Sequence, residues 1–200
     1  MAKVLIVGAG AAGLMAAGAA VRQGHQVTVL EHMDKPGQKI LVTGKGRCNV
    51  TNDCTAEEFL HHVRTNPRFL FSSLGAFPPA KTMELFESLG VELKVERGRR
   101  VFPVSDRAFD VSAALERELR RLRVTLVRDR AVCVLTDETG AVRGVKGEKG
   151  TYPAQAVVLA TGGVSYRGTG STGEGHRIAA MLGHTVTPLT GSLVPLRADG

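Results

Sequence analysis

Three glycines near the start of the chain have a spacing that suits the binding of a pyrophosphate. Gly8, Gly10 and Gly13 form a G-x-G-x-x-G pattern directly after a short apolar run. In such a turn the first glycine permits a tight bend, the second leaves room for phosphates at the backbone, and the third allows close helix packing. Glu31 follows about 20 residues later, where a carboxylate can accept hydrogen bonds from both ribose hydroxyls. The pattern predicts a dinucleotide site and favours FAD or NAD over NADP, because the carboxylate would repel a 2′-phosphate.

The residues around this motif predict the elements that must hold it. Residues 4–7 are a short apolar run of the kind found in buried parallel strands. Residues 11–23 predict a helix whose first N–H groups, on Ala11 and Ala12, point with the helix dipole at the phosphates. Residues 26–30 predict a second strand that carries the acid at its end. This sequence of elements makes the nucleotide-binding interpretation specific, which a glycine pattern alone would not.

The same stretch could be interpreted as a membrane or secretion segment. Residues 4–21 carry no charge, and Lys3 precedes them. Against this interpretation, the run contains several glycines and no leucine-rich core, and a strand and an acid follow it. Glycine and alanine also contribute little apolar area for burial in a membrane. We therefore favour the nucleotide-binding interpretation.

The composition is that of an ordinary globular domain with an excess of positive charge. Hydrophobic residues make up 43% of the 200 positions, and the formal net charge is +7. Residues 94–130 alone hold 11 basic and 6 acidic residues, a net charge of +5. No nucleic-acid motif or run of stacking aromatics accompanies this charge. We interpret it as a solvated helix face beside a pocket for an anionic cofactor, and we expect neither nucleic acid nor a membrane as a partner.

Cysteine and histidine are spaced poorly for a metal site. Cys48, Cys54 and Cys133 show neither a disulfide framework nor a zinc spacing, which favours a reducing compartment. His61 and His62 are adjacent, so their side chains would point to different sides of a helix or strand. We therefore expect a cytoplasmic protein without a metal centre.

The rest of the pattern predicts an α/β, Rossmann-like fold with a parallel sheet and an antiparallel β-meander crossover. Parallel strands are predicted at residues 124–127 and 157–160, with a three-stranded meander between them at residues 131–136, 141–145 and 151–154. A small hairpin is predicted at residues 91–95 and 100–104. Helices are predicted at residues 55–63, with Thr55 as the N-cap candidate, and at residues 67–74, 81–89 and 176–182. Another runs to about residue 122 from a cap at Ser105 or Asp106, and its apolar face is formed by Val111, Leu115, Leu119 and Leu122.

A long polar connection, residues 32–54, separates the second strand from the first of these helices. Loops of this length inside α/β domains are usually functional or disordered. Its core, residues 39–52, is rich in glycine, lysine, arginine and asparagine, which supply N–H groups and cations without bulk. This composition predicts a second contact with a large phosphate-bearing cofactor.

With these motifs in place, the chain resembles flavoproteins of the two-dinucleotide-binding-domain type. More narrowly, it is similar to the bacterial NAD(P)/FAD-dependent oxidoreductases of the BaiN-like (aminoacetone-oxidase-like) family. The resemblance spans nearly all 200 residues. Its matching stretches are LVTGKGRCNVTN at residues 41–52, RVFPVSDRAFDV at residues 100–111 and ATGGVSYRGTGSTGEG at residues 160–175. Arg167 and His176 depart from the family pattern, which has a proline and an aromatic residue at these places.

The resemblance implies that FAD is bound in an extended form, with the glycine motif at its pyrophosphate and Glu31 at its adenosine ribose. It further implies that Lys39, Gly46, Arg47 and Asn49 face the flavin half, that the Val132 backbone meets the adenine, and that Thr161 and Gly162 close over the middle of the cofactor. The implied activity is hydride transfer between NAD(P)H, FAD and a small organic substrate or oxygen. The pattern identifies no catalytic acid or base.

Three alternatives stay open at this point. One is a flavin disulfide reductase that uses Cys48 and Cys54, although five residues separate these cysteines where such enzymes have four. Another is an RNA-associated flavoprotein that uses the basic residues 94–130. The third is a truncated, non-catalytic nucleotide-binding fragment.

Family members continue well beyond the length of this chain and return to the first domain near their C-terminus. We therefore expect residues 1–190 to form an incomplete FAD-binding domain and residues 191–200 to begin a substrate domain. On its own, such a fragment is expected to bind FAD weakly or not at all.

Overall fold

The computed structural model describes residues 1–191 of the chain. Residues 192–200, which hold nearly all of the predicted start of a second domain, lie outside the described residues, and that boundary stays a prediction.

The strands are β1 (Lys3–Val7), β2 (Gln26–Glu31), β3 (Thr51–Asn52), β4 (Leu93–Glu96), β5 (Arg100–Pro103), β6 (Thr125–Arg128), β7 (Ala131–Thr136), β8 (Val142–Gly147), β9 (Thr151–Pro153) and β10 (Ala156–Leu159). The helices are α1 (Ala11–Arg22), α2 (Gln38–Val42), α3 (Ala56–His61), α4 (Phe71–Ala76), α5 (Pro79–Ser88), α6 (Ala108–Arg121) and α7 (Glu174–Met181).

A parallel sheet of four strands, in the order β10-β1-β2-β6, organises the fold. The register pairs Val4 with Ala156 on one side of β1 and with Val27 on the other. On the far side of β2, Thr28 pairs with Thr125 of β6. The chain thus moves outward from β1 through β2 to β6, and then returns to the other side of β1 with β10. This reversal confirms the predicted Rossmann-like fold, and it places the ligand crevice at the carboxyl ends of β1, β2 and β10.

Side chains alternate across the sheet because successive residues of a strand face opposite sides. Val4 and Ile6 of β1 point into a core shared with α1 and α6, where Leu14 and Leu115 are also buried. This core confirms the predicted apolar face of α6, because Val111, Leu115 and Leu119 are all buried in it. The burial of each large apolar side chain stabilises the fold by about 1.5–3 kcal/mol. Arg120, away from this core, is exposed and pairs with Glu116 one turn earlier.

The opposite face of the sheet is covered by the meander β7-β8-β9, which is antiparallel as the sequence predicted. Leu5 and Val7 of β1 pack there against Val145 of β8 and Ile178 of α7. The central sheet therefore lies between a helical layer and a β layer, and the loops at its carboxyl edge are held from both sides.

Two predictions about connecting segments were wrong. Residues 32–54 do not form one continuous loop, because they contain the helix α2, a tight turn over Thr43–Gly46 and the short strand β3, which pairs with β5. Neither Ser105 nor Asp106 caps α6, which begins after Arg107 without a side-chain cap. Asp106 instead accepts hydrogen bonds from two basic side chains, described below.

The predicted N-cap of α3, Thr55, was confirmed, and the helix ends at His61, two residues before its predicted end. The Thr55 hydroxyl accepts the Glu58 N–H, and the Glu58 carboxylate accepts the Thr55 N–H, which forms a capping box. The hairpin β4-β5 was also predicted correctly, and β3 extends it to a three-stranded antiparallel sheet. This small sheet lies beside the segment that follows α2, and it becomes important for the wall of the site.

Candidate dinucleotide-binding site

A cavity of about 860 Å³ opens at the carboxyl edge of the parallel sheet. Its volume is within the range of roughly 300–1,000 Å³ typical of pockets for small molecules and cofactors. Most of the residues predicted to hold a cofactor line it: Gly8, Gly10, Ala11, Ala12, Glu31, Lys39, Asn49, Thr161 and Gly162. Four predicted residues are not among its lining residues: Gly13, Gly46, Arg47 and Val132.

The three glycines of the first turn have different physical roles. Gly8 has a positive φ of 102°, and a Cβ there would lie 2.5 Å from the carbonyl oxygen of Ala160. A Cβ on Gly13 would overlap the carbonyl oxygen of Gly8. A Cβ on Gly10 would meet no atom within 4 Å. Gly8 and Gly13 are therefore required by packing, whereas the space beside Gly10 belongs to the cavity and is free for a ligand.

The start of α1 points its N–H groups into this space. Gly10 is the N-cap residue, and no side chain caps the helix. The first turn carries no acidic residue either. Uncapped N–H groups and the positive end of the helix dipole together favour an anion such as a pyrophosphate. The residues present thus fit the predicted group: donors on Ala11 and Ala12, and room beside Gly10.

Glu31 is fixed at the same wall by the backbone. One carboxylate oxygen accepts the N–H of Ala9 and the other accepts the N–H of Met33, each at 2.7 Å. The residue is only 9% exposed, and His32 Nδ1 lies 3.5 Å from the carboxylate. Each carboxylate oxygen retains a further lone pair, so a rigidly held acceptor faces the cavity beside the glycine turn.

Lys39 connects the two sides of the cavity. Its ammonium group donates to the carbonyl oxygen of Ser165 at 2.8 Å and to the hydroxyl of Ser171 at 2.5 Å. Ser171 is buried and lies close to Gly162, where a Cβ would be 2.7 Å from its hydroxyl. The segment after β10 is therefore tied to α2 across the site, and a cation is held at the cavity wall.

The segment between α2 and β3 supplies a third wall, through Cys48, Asn49 and Val50. With its amide oriented to satisfy its neighbours, Asn49 donates to the carbonyl oxygens of Val101 and Thr51, so its side chain is held by the small sheet. Arg47 points elsewhere. Its guanidinium pairs with Glu96 and Asp106, and it is not brought to the cavity. The assignments of Gly46 and Arg47 to the flavin half stay predictions.

Val132 of β7 is not among the residues that line the cavity, and its carbonyl oxygen accepts a hydrogen bond from Arg177 at 3.1 Å. Its predicted contact with adenine likewise stays a prediction. The neighbouring residues Asp129 and Ala131 do line the cavity. An acid directly after a parallel strand is a signal that could have identified Asp129, because ligands bind at that edge of the sheet.

Asp129 is 2% exposed, and its carboxylate organises the corner between β6 and the meander. It accepts the Tyr152 hydroxyl at 2.8 Å and the N–H groups of Arg130 and Lys149. Burial pushes its pKa upward, but these hydrogen bonds outweigh burial and hold the pKa below its ordinary value. The same contact raises the pKa of Tyr152. Asp129 is thus a charged carboxylate at the cavity wall.

The cysteines do not have the character of a redox pair. Cys48 is 7% exposed and lines the cavity, whereas Cys54 is not among the lining residues. Burial raises the pKa of both thiols. Because a thiolate is the reactive form, these environments oppose the chemistry of a disulfide reductase.

Within residues 1–191, no cluster of histidine, cysteine and carboxylate side chains could hold a metal ion. Over the same residues, each helix is too short or too polar to cross a membrane.

Comparisons with known proteins place this site in a family context. The family model of the HI0933-like protein Rossmann domain matches residues 2–198. A 3-dehydro-bile acid delta(4,6)-reductase from Clostridium scindens is 38% identical over 200 residues, which cover 98% of this chain and 48% of that protein. A ribosomal RNA dihydrouridine synthase from Escherichia coli is 33% identical over 192 residues, covering 96% of this chain and 47% of that protein. The chain thus spans about half the length of the curated relatives it matches.

Among solved structures, the open conformation of a flavocytochrome c3 fumarate reductase is similar to this chain with a TM-score of 0.62. The match covers 90% of this chain and 40% of that chain at 22% sequence identity. Similarity at this level of identity establishes the fold, which agrees with the strand order described above.

Proposed function

The chain belongs to the HI0933-like protein Rossmann domain family, and we propose that it forms the FAD-binding part of a flavin-dependent oxidoreductase. The two relatives described above, which are enzymes, support this proposal. The observation that carries the proposal is the geometry at the start of α1. Open space beside Gly10 faces uncapped helix N–H groups, and the fixed carboxylate of Glu31 lies at the same wall. This arrangement suits a pyrophosphate that continues into an adenosine ribose.

Each wall of the cavity has a part in holding the cofactor. The N–H groups of Ala11 and Ala12 bind the pyrophosphate, and Glu31 accepts the ribose hydroxyls. Lys39 supplies a positive charge at the opposite wall, where it is held by two serines. FAD, when bound, supplies hydride-transfer chemistry that no amino-acid side chain offers. The chain's own residues bind it and orient it.

The names of the two relatives describe the same kind of reaction, the reduction of a C=C bond. A 3-dehydro, delta(4,6) bile acid has C=C bonds conjugated with a ketone, and a reductase saturates such a bond. Dihydrouridine is uridine whose C5=C6 bond, conjugated with a carbonyl, has been saturated. We therefore propose that the substrate carries a C=C bond conjugated with a carbonyl group. In the overall reaction NAD(P)H gives a hydride and solvent gives a proton, and the two hydrogens end on the two carbons.

The leading candidate for this substrate is a small organic molecule such as a conjugated steroid ketone. This candidate is supported by the relative with 38% identity, which is named as a reductase of a bile acid. A second candidate is a uridine in RNA. It is favoured by the Escherichia coli relative and by the net charge of +7, which suits a polyanionic partner.

The experiment that tests the proposal uses the protein expressed from its full coding sequence. Flavin released by heat is identified by mass, and FAD is titrated into the flavin-free protein and into the Gly10→Val variant. We expect FAD to be the bound flavin and the variant to take up none. Failure of the unaltered protein to take up FAD would contradict the proposal.

The two substrate candidates are separated in the same preparation. A conjugated 3-ketosteroid and a ribosomal RNA fragment are each incubated with NADH or NADPH, and the gain of two hydrogens is followed by mass spectrometry. The matching saturated steroid is the control for the first substrate. Retention of RNA that weakens steeply with salt, together with dihydrouridine formation, would favour the second.

A further inference from the structure

We propose that Arg47 is a positioning residue, which clamps the segment of residues 44–50, whose Cys48, Asn49 and Val50 line the cavity, onto the small antiparallel sheet. It would act through this segment and not by touching a bound cofactor. Only the expected effect on FAD affinity rests on the proposed function.

The segment has an unusual backbone. Gly44, Lys45, Gly46 and Cys48 all have positive φ, at 55°, 58°, 84° and 60°. Lys45 and Cys48 carry side chains, for which this left-handed conformation is sparsely populated and persists only when the surroundings enforce it. Cys48, Asn49 and Val50 then line the cavity. Contacts with residues outside this segment must therefore hold its conformation.

Arg47 provides that hold from the centre of the strained segment. Its Nε donates to Asp106 at 2.7 Å, and its Nη2 pairs with Glu96. The guanidinium also lies over the ring of Phe102, 4.2 Å from the ring centroid. Glu96 belongs to β4, Phe102 to β5, and Asp106 follows β5, so one side chain is bound to three parts of the small sheet and its connection to α6.

Lys94 completes the network. Its ammonium group lies 2.7 Å from Asp106 and 3.5 Å from Glu96, so two cations and two carboxylates alternate and their charges balance. The hydrogen bonds lower the pKa of both carboxyls and raise that of Arg47, so all members stay charged near neutral pH. A network of this kind fixes geometry better than a single exposed pair.

Backbone contacts transmit the clamp to the cavity. The N–H of Val50 donates to the carbonyl oxygen of Val101 in β5 at 2.9 Å. Gly44 lies so close that a Cβ there would be 3.1 Å from the Phe102 ring and 2.8 Å from the backbone nitrogen of Asn49. The segment thus packs against the small sheet on one side and borders the cavity on the other. Releasing Arg47 should let Cys48 and Asn49 move.

The test reads the wall directly through the Cys48 thiol, which is buried when the wall is in place. In a background with Cys54→Ser and Cys133→Ser, the rate of alkylation by iodoacetamide is measured for Arg47→Ala and for the double variant Glu96→Gln with Asp106→Asn. We expect both to react roughly tenfold faster than the background protein, as befits the loss of charge-assisted hydrogen bonds. Arg143→Ala, which removes an exposed arginine paired with Asp137, is the matched control and should leave the rate unchanged.

FAD affinity gives the second readout. Both clamp variants should weaken FAD binding roughly tenfold, although neither carboxylate of the double variant lines the cavity. If Arg47→Ala alone weakens binding while the double variant matches the background in both readouts, Arg47 contacts the cofactor and the clamp is wrong. Unchanged Cys48 reactivity in both variants would also overturn it. If the unaltered protein binds no FAD, the proposed function fails, but the alkylation rates still decide the clamp.

Discussion

The carboxylate of Glu31 accepts the backbone N–H of Ala9 at 2.7 Å, so the end of β2 is tied directly to the glycine turn after β1. The other carboxylate oxygen accepts the N–H of Met33. These bonds place an acidic acceptor and the uncapped start of α1 at one wall with little freedom between them. A dinucleotide needs both features at a fixed separation, because its ribose and its pyrophosphate are covalently linked.

Substitutions of Gly10 and Gly13 should separate binding from folding. Because a Cβ at Gly10 meets nothing within 4 Å and its φ of −75° suits any residue, Gly10→Val should abolish FAD binding and lower the free energy of unfolding by only about 1 kcal/mol, since valine is a poorer N-cap than glycine. Gly13→Ala should instead lower the free energy of unfolding by about 3 kcal/mol or more, since its Cβ would overlap Gly8. Thermal melts and flavin titrations check both expectations.

Gly75→Val is the matched control for Gly10→Val. Gly75 lies in the exposed helix α4, and a Cβ there also meets nothing within 4 Å. This variant should keep both its stability and its flavin. Retention of FAD by Gly10→Val, at the affinity of this control, would contradict the role given to the space beside Gly10.

Glu31→Gln should affect ligands according to whether they contain an adenosine ribose. The amide keeps the shape of the side chain but would turn an N–H donor toward one of the two backbone N–H groups. We expect a loss of about 1–3 kcal/mol in the free energy of unfolding and a roughly tenfold loss of FAD affinity. FMN, which lacks the adenosine, should bind the variant as it binds the unaltered protein. An equal loss for both flavins would show that Glu31 acts on the fold alone.

Asp129 should make stability depend on acid. Its pKa in the folded protein lies below the ordinary value of 3.8, so the unfolded chain binds the proton more tightly. The stability that it contributes is therefore fully present above about pH 3.8 and is lost as the pH falls through the lower, folded value. Asp129→Asn should be less stable than the unaltered protein at pH 6, and the difference should shrink below pH 4. Urea unfolding across this range tests it, and a difference independent of pH would contradict the assignment.

The cysteines give a test of the disulfide-reductase alternative. Cys54→Ser should leave flavin content and reductase activity intact, because Cys54 does not line the cavity and the pKa of its thiol is raised by burial. Cys133→Ser serves as the control for the loss of an unrelated thiol. Complete loss of activity in Cys54→Ser, but not in Cys133→Ser, would support the alternative in which Cys48 and Cys54 form a redox pair.

Local signals predicted a large part of the fold. Thr55 was predicted as the N-cap of α3 from its place before two acidic residues, and α3 begins there, with Glu58 completing a capping box. The apolar stripe of α6 through Val111 and Leu115 is likewise a property of one helix, and both residues are buried as expected. The glycine turn was recognisable because the requirements of a pyrophosphate and of close packing fall on a few neighbouring positions.

Features that depend on distant partners were missed or misplaced. The strand β3 has two residues and exists through its pairing with β5, about 50 residues away. Asp106 was predicted as a helix cap by its position. Lys94 and Arg47 instead offer it charged hydrogen-bond donors, which bind a carboxylate more strongly than the uncharged N–H groups at the start of a helix. The resemblance implied that Arg47 faces the flavin half, which stays a prediction, and the pairing of Arg47 with Glu96 and Asp106 could not be located from the sequence. Gly37 and Gly44 made the residues between them resemble a loop, although packing against α6 supports the helix α2 at Gln38–Val42.

The most direct test of the central claim is a structure of the protein, expressed from its full coding sequence, with FAD bound. We expect the pyrophosphate oxygens to lie within hydrogen-bonding distance of the N–H groups of Ala11 and Ala12, and both ribose hydroxyls to lie on Glu31. FAD bound elsewhere, with the space beside Gly10 empty or blocked, would contradict the claim.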